Sequence, residues 1–186
     1  QTICEGDDAI LAAAIGGSAG SATWSGGAGI FNPDNVTLNA TYTPTAGEIV
    51  TGSVILILTT DDPTGVCSSV SDNLTVTINP IPAAPTSSDT TVCNGSTVAI
   101  SAVGLGGTYE WYDALVGGNL LASDDSYTTP VLSATTTYYV QTTVLGCASP
   151  RTAVVVTVTP TDDPSFTYSS GTYCVSAVDP VATITG

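Results

Sequence analysis

Lysine, histidine and methionine are absent from this 186-residue chain, and Arg151 is its only basic side chain. Without histidine there is no Ser-His-Asp or Cys-His arrangement for nucleophilic catalysis. Without lysine there is no Schiff-base chemistry and no Lys-to-Asn isopeptide cross-link. Sixteen Asp and Glu residues against one Arg leave a formal charge of −15. A nucleic-acid surface needs clustered Lys and Arg to displace counterions, so that class is excluded, and attraction to anionic lipid headgroups fails for the same reason. No apolar run approaches the ~20 residues of a membrane helix; the longest compact one is Val54 to Leu58. No membrane insertion is expected. No basic segment and apolar core follow Gln1, so the chain reads as a processed product or, better, a piece of something longer.

What the sequence does have is a stretch that occurs twice. CEGDDAILAA opens at Cys4 and CNGSTVAISA opens at Cys93. A lone tryptophan follows each, Trp24 and Trp111, then a later cysteine, and then a proline that closes the unit. Cys67 to Pro80 and Cys147 to Pro160 are both thirteen positions, through VTINP and VTVTP. The expected organisation is a first module over 1–80, a second over 81–160, and a linker with the first strands of a truncated third over 161–186. The prolines of Asn79–Pro85 and of Thr159–Pro164 favour short, extended, semi-rigid linkers.

Within each module the apolar residues alternate. Ala9, Leu11, Ala13 and Ile15 share one face, as do Val98, Ile100 and Ala102, Leu74, Val76 and Ile78, and Val154, Val156 and Val158. Period-two alternation with Thr and Ser opposite reads as half-exposed antiparallel strands. Turn signals at Gly16-Gly17, Gly26-Gly27, Pro44–Gly47, Gly106-Gly107, Gly117-Gly118 and Leu145-Gly146 separate them at the spacing of a sandwich. The expectation is all-β: tandem immunoglobulin-like antiparallel β-sandwich modules of about seven strands, with both tryptophans in the core on a third strand. The unbroken run Val54–Leu58 suits a central strand covered on both faces.

Five cysteines in small modules point to an oxidising, extracellular compartment. Spacing alone does not fix connectivity. If each module is self-contained, Cys4 pairs with Cys67 and Cys93 with Cys147, and Cys174 opens a third copy, unpaired within this stretch. Metal ligation by these cysteines lacks any CxxC or histidine partner.

Adjacent carboxylates occur at Asp7-Asp8, Asp61-Asp62, Asp124-Asp125 and Asp162-Asp163. Neighbours on a strand point to opposite faces, so they are poor glycosidase pairs, and no catalysis is expected. Asp-rich loops can supply hard oxygen ligands to calcium, and they also cap turns as solvated residues; beyond that possible calcium no cofactor is expected. Tyr109, Trp111, Tyr112, Tyr138 and Tyr139 include the aromatics that could stack on a sugar, although alternation assigns one member of each adjacent pair to the core.

The unit from TICEGDDAILAA through TWSGGAGIFNPDNVTLNATYTPTAGEI to NLTVTINP resembles repeats of the giant SprB-type gliding-motility adhesins of Bacteroidota. The second unit, with EWYDALVGGNLLAS and TTTYYVQTTVLGCASP, resembles immunoglobulin-like modules that accompany type IX secretion cargo in the same bacteria. That resemblance implies a long, repetitive cell-surface filament whose partners are neighbouring repeats of the same chain and surface polysaccharide. It implies no catalytic residues. Asp89-Thr90-Thr91 fits the O-glycosylation pattern of these bacteria, which makes Thr90 a glycan candidate. The expected role is therefore a stalk module of a secreted adhesin. The alternatives are a carbohydrate-binding accessory module of a secreted enzyme and a filament subunit that donates residues 165–186 as a strand.

Overall fold

The structure, a computed structural model, describes residues 1–62, 68–160, 166–167 and 183–184. Cys67, Cys174, Asp162 and Asp163 lie outside the described residues, and with them the expectations placed on those positions. Almost every described element is a strand, and the strands enclose two hydrophobic cores.

The first core is built by β1 (Thr2–Cys4), β2 (Ala9–Ile10), β3 (Ala22–Ser25), β4 (Ile30–Asn32), β5 (Thr41–Thr43), β6 (Ser53–Thr60) and β7 (Ser71–Asn79). One sheet runs β1-β7-β6-β3 and the facing one β2-β5-β4. Ala9, Leu11, Trp24, Tyr42, Leu56 and Val76 meet between them. The inward residues are those of the sequence alternation, and Trp24 on β3 is buried against β6, where it is the register partner of Leu58.

The second core repeats the plan with a longer sheet. Its strands are β8 (Thr86–Ser87), β9 (Thr90–Cys93), β10 (Ala99–Val103), β11 (Thr108–Tyr112), β12 (Leu120–Ala122), β13 (Ser126–Thr128), β14 (Thr136–Val144), β15 (Cys147–Ala148) and β16 (Thr152–Thr159). The sheets run β13-β10-β8 and β12-β11-β14-β16-β9, with β15 hairpinned onto β14. Trp111 on β11 is fully buried among Ile100, Tyr138, Val140, Val154 and Val156. Further on, β17 (Phe166–Thr167) pairs antiparallel with β18 (Thr183–Ile184).

Both cores share one feature that antiparallel alternation does not announce. The first strand of the larger sheet runs parallel to the last: β1 with β7, and β9 with β16. In the second core the opening segment changes sheets, since β8 pairs with β10 and β9 with β16. That split first strand and the two-sheet order are the immunoglobulin-like arrangement.

Two expectations need correction. Cys4 is bonded to Cys147, with a Cα–Cα distance of 5.6 Å, so neither Cys4–Cys67 nor Cys93–Cys147 exists, and Cys93 is exposed and has no disulfide partner among the described residues. The parallel pairing is the physical reason. It sets Cys93 opposite Thr159 at the far end of β16, whereas Cys147 lies just before that strand begins. Eight residues at ~3.3 Å each separate the two ends by about 26 Å, far beyond the roughly 7 Å a disulfide spans. The second correction concerns Val54–Leu58: the strand is central, but on its outer face Ile55 is 54% exposed and Ile57 only half-buried, so that face is not covered throughout.

The helix α1 (Ala46–Thr51) was not expected, because six residues carry no period to detect. Its start is fixed by a capping box. Thr45 Oγ1 accepts from the Glu48 amide, and the Glu48 carboxylate accepts from the Thr45 amide at 2.8 Å. Among the described residues no helix is long and apolar enough to cross a membrane.

Candidate functional site at the junction of the two cores

The two cores meet where β7 ends. Cys4, the last residue of β1, lies opposite Asn79, the last residue of β7. The chain then turns sharply: the Glu5 amide donates to the Asn79 carbonyl at 2.8 Å and the Asp7 amide to the Cys4 carbonyl at 3.0 Å. Gly6, at φ +90°, makes that turn possible without a Cβ penalty.

The other side of the junction is the hairpin between β14 and β15. Val144 pairs with Cys147, which leaves a two-residue turn, Leu145-Gly146, with φ of +50° and +85°. Positive φ at both central positions gives the twist that a tight hairpin requires. The hairpin is held from below, where buried Thr142 donates through Oγ1 to the Gly106 carbonyl at 2.7 Å. The Thr142 amide donates to Ser149 Oγ at 3.0 Å. The turn is thus a firm projection that carries Cys147, itself buried, to Cys4. Asn79 Nδ2 donates to the Leu145 carbonyl at 2.9 Å beside the disulfide. An open groove flanks the contact, between Ile3, Asp7, Asp8 and Ile10 on one side and Leu145 and Gly146 on the other.

The linker reinforces the joint. Pro85 is fully buried, its carbonyl accepts from Thr152 Oγ1, and a β-carbon added at Gly104 would lie 3.6 Å from its own. A six-residue connection with three prolines, docked at its far end, leaves the covalent bond little slack.

The remaining candidate residues do not converge here. Asp8 Oδ1 accepts from Thr43 Oγ1 at 2.6 Å, and Asp61 accepts from the amides of Gly20 and Ser21. Asp124 and Asp125 accept, through their backbone carbonyls, from Trp111 Nε1 and the Ala102 amide. Among the described residues no three His, Cys, Asp or Glu side chains gather in one place. Thr90 is part-buried at the start of β9, and the neighbouring Asp89 carboxylate accepts from the Val155 amide.

Of the aromatics, Trp111 and Tyr138 are core, while Tyr112 and Tyr139 pair across β11 and β14. The Arg151 guanidinium stands 3.4 Å above the Tyr112 ring. It donates from Nε to Gln141 Oε1 and from Nη1 to the carbonyls of Ala114 and Gly117. The guanidinium therefore ties down the loop after β11 and covers one face of the Tyr112 ring.

Sequence reasoning did not single out Asn79, Arg151 or Glu48. Glu48 had a readable signal in Thr45-x-x-Glu48, the capping-box spacing. Asn79 and Arg151 had none, because their roles depend on what the fold brings opposite them.

No curated protein matches the chain. Among solved structures, murine CEACAM1b is similar at 11% identity and a TM-score of 0.39, over 86% of this chain and 95% of that one. The insect immune protein hemolin is similar at 14% identity and a TM-score of 0.40, over 86% of this chain and 44% of that one. The N-terminal Ig1-2 module of the Drosophila receptor protein tyrosine phosphatase DLAR is similar at 15% identity and a TM-score of 0.30, over 75% of this chain and 83% of that one. The family model of the Ig-like domain associated with CHU_C matches residues 82–160, and that stretch, with the strand order given above, is an immunoglobulin-like module.

Proposed function

We propose that the two halves are successive immunoglobulin-like modules in the stalk of a secreted bacterial surface adhesin, and that the chain carries force rather than chemistry. The observation that supports this is the Cys4–Cys147 bond, which joins one core to the next instead of pinning either from within. A pulling force applied at the two termini enters at Cys4 and passes through sulfur to Cys147. The 143-position separation between them is shielded from extension. A disulfide of this kind fits an oxidising, extracellular setting. The partners in this reading are neighbouring modules of the same chain, with surface polysaccharide met elsewhere along the filament. The chain is no enzyme.

Stretching the protein between its termini tests the reading. The oxidised chain is expected to reach its limit with the ring closed. Reduction is expected to release about 500 Å of further contour length, the 143 positions at ~3.5 Å each. Equal contour lengths in the two redox states would sink the proposal.

A further inference from the structure

Cys93 occupies a second copy of the place that Cys4 occupies. Cys4 ends β1 opposite Asn79, the last residue of its parallel partner, and Cys93 ends β9 opposite Thr159, the last residue of its own. The turns that follow also agree. Glu5 donates to the Asn79 carbonyl at 2.8 Å, and Asn94 donates to the Thr159 carbonyl at 2.9 Å. Asp7 donates back to the Cys4 carbonyl at 3.0 Å, and Ser96 to the Cys93 carbonyl at 3.1 Å. Gly6 and Gly95 carry φ of +90° and +82°. A proline comes next after each strand partner, Pro80 and Pro160.

An exposed cysteine alone says little. The independent observation is that the equivalent position in this same chain is filled, by a hairpin-turn cysteine of the module that packs against it. We infer that Cys93 anchors a second staple of the same kind. It takes in disulfide linkage the cysteine of the turn before the final strand of another immunoglobulin-like module, packed against the trailing end of the second core.

The geometry excludes partners inside its own module, since Cys147 lies at the opposite end of β16 and is already bonded. The step is a two-electron oxidation. With a low-molecular-weight disulfide such as oxidised glutathione, the Cys93 thiolate attacks the S–S bond and expels one glutathione thiolate. The incoming cysteine then displaces the second, so two thiols give one protein disulfide and two reduced glutathiones. The module rule that results is that each strand-end cysteine is linked forward, and each turn cysteine backward.

This inference rests on the stalk reading only in taking a further module to pack there. The test is disulfide mapping of the protein purified from its host without reductant, with free thiols alkylated before proteolysis. The Cys93 peptide is expected to be cross-linked to a peptide bearing a turn cysteine. A partner outside residues 1–186 identifies a further module, and Cys67 as partner together with a doubled mass on a non-reducing gel identifies a second copy, whereas Cys67 as partner at monomer mass overturns the inference. Alkylated Cys93, or Cys93 joined to Cys174, overturns the inference. In Cys93→Ser this cross-link is expected to vanish while Cys4–Cys147 and the near-ultraviolet spectrum persist; loss of Cys4–Cys147 as well would also overturn it. A free Cys93 leaves the extension measurement standing, and equal contour lengths leave a mapped Cys93 cross-link standing, so the two failures are distinguishable.

Discussion

Asn79 Nδ2 reaches the carbonyl oxygen of Leu145 over 2.9 Å, from the end of β7 in one core to the tip of a hairpin in the other. The bond is exposed, so its worth to global stability is about 1 kcal/mol or less. Its larger effect is to hold the Cys147 turn against Cys4. Asn79→Ala is expected to leave the unfolding midpoints nearly unchanged and to speed the opening of Cys4–Cys147 by dithiothreitol. Quenched alkylation followed by mass spectrometry reads that rate, and an unchanged rate would remove Asn79 from the junction.

Among the described residues the two cores share a covalent bond but no buried apolar cluster. Trp24→Ala and Trp111→Ala each leave a large cavity, costing about 3–5 kcal/mol. In the reduced protein Trp24→Ala is expected to lower the transition of the first core alone, and Trp111→Ala that of the second alone. Urea melts followed by near-ultraviolet circular dichroism check this. A single shared transition in both variants would show the cores to be one cooperative unit.

Glu48 predicts behaviour in acid. Burial pushes its carboxyl up, but hydrogen bonds from the Thr45 and Ala28 amides and from the Tyr42 and Thr45 hydroxyls outweigh it, and the group lies below its ordinary 4.5. A lowered folded value means the stabilisation is full above 4.5 and is lost as pH falls through the folded pKa. Glu48→Ala is expected to cost about 1–2 kcal/mol at neutral pH, the worth of a broken cap. It is also expected to flatten the acid limb of the first core, as a pH series of urea midpoints would show.

Tyr42 governs the alkaline side of the same core. Burial, then its hydrogen bond to Glu48, push the phenol up to about 12 from 10.0. A raised pKa on an acid favours the protonated form in the folded state. The contribution is therefore full below pH 10 and is lost as pH rises toward 12. The melting temperature of the first core is expected to fall over that window. Tyr42→Phe should lose stability at neutral pH and fall less steeply above pH 10. Tyr127 and Tyr138, also raised by burial, set the corresponding fall in the second core.

Leu145 adopts φ +50° and is 75% exposed. The left-handed region costs a β-carbon-bearing residue roughly 1–2 kcal/mol, and asparagine tolerates it best of the non-glycine residues. Leu145→Asn is expected to stabilise the second core by about 1 kcal/mol, read as a raised urea midpoint with unchanged slope. The backbone carbonyl that meets Asn79 is kept, so the junction should survive.

Much of the fold is legible because burial on a pleated surface has period two. Ala9 and Leu11, Val76 and Ile78, and Val154 and Val156 point inward as their spacing requires. Trp24 and Trp111 are large enough to announce the core on their own. Connectivity is another matter. The repeat places Cys4 with Cys93 and Cys67 with Cys147, but it is silent on whether first and last strands run parallel. That direction decides which end of a module each cysteine occupies. Ile55 is exposed for a related reason: β-propensity in a run of Val, Ile and Leu describes the strand, while coverage of its outer face depends on what packs there.

The parallel pairing of β1 with β7 has a consequence for the order of events. Cys4 is in place only once β7, at the end of the first core, has been laid beside it, and its partner sits on a hairpin of the second core. Neither half alone can close the bond. A chain that becomes available from its amino terminus must therefore keep Cys4 as a waiting thiol until 143 further positions have followed and folded. The oxidised bond is then a chemical record of completion, and alkylation of Cys4 separates molecules that stopped halfway from finished ones.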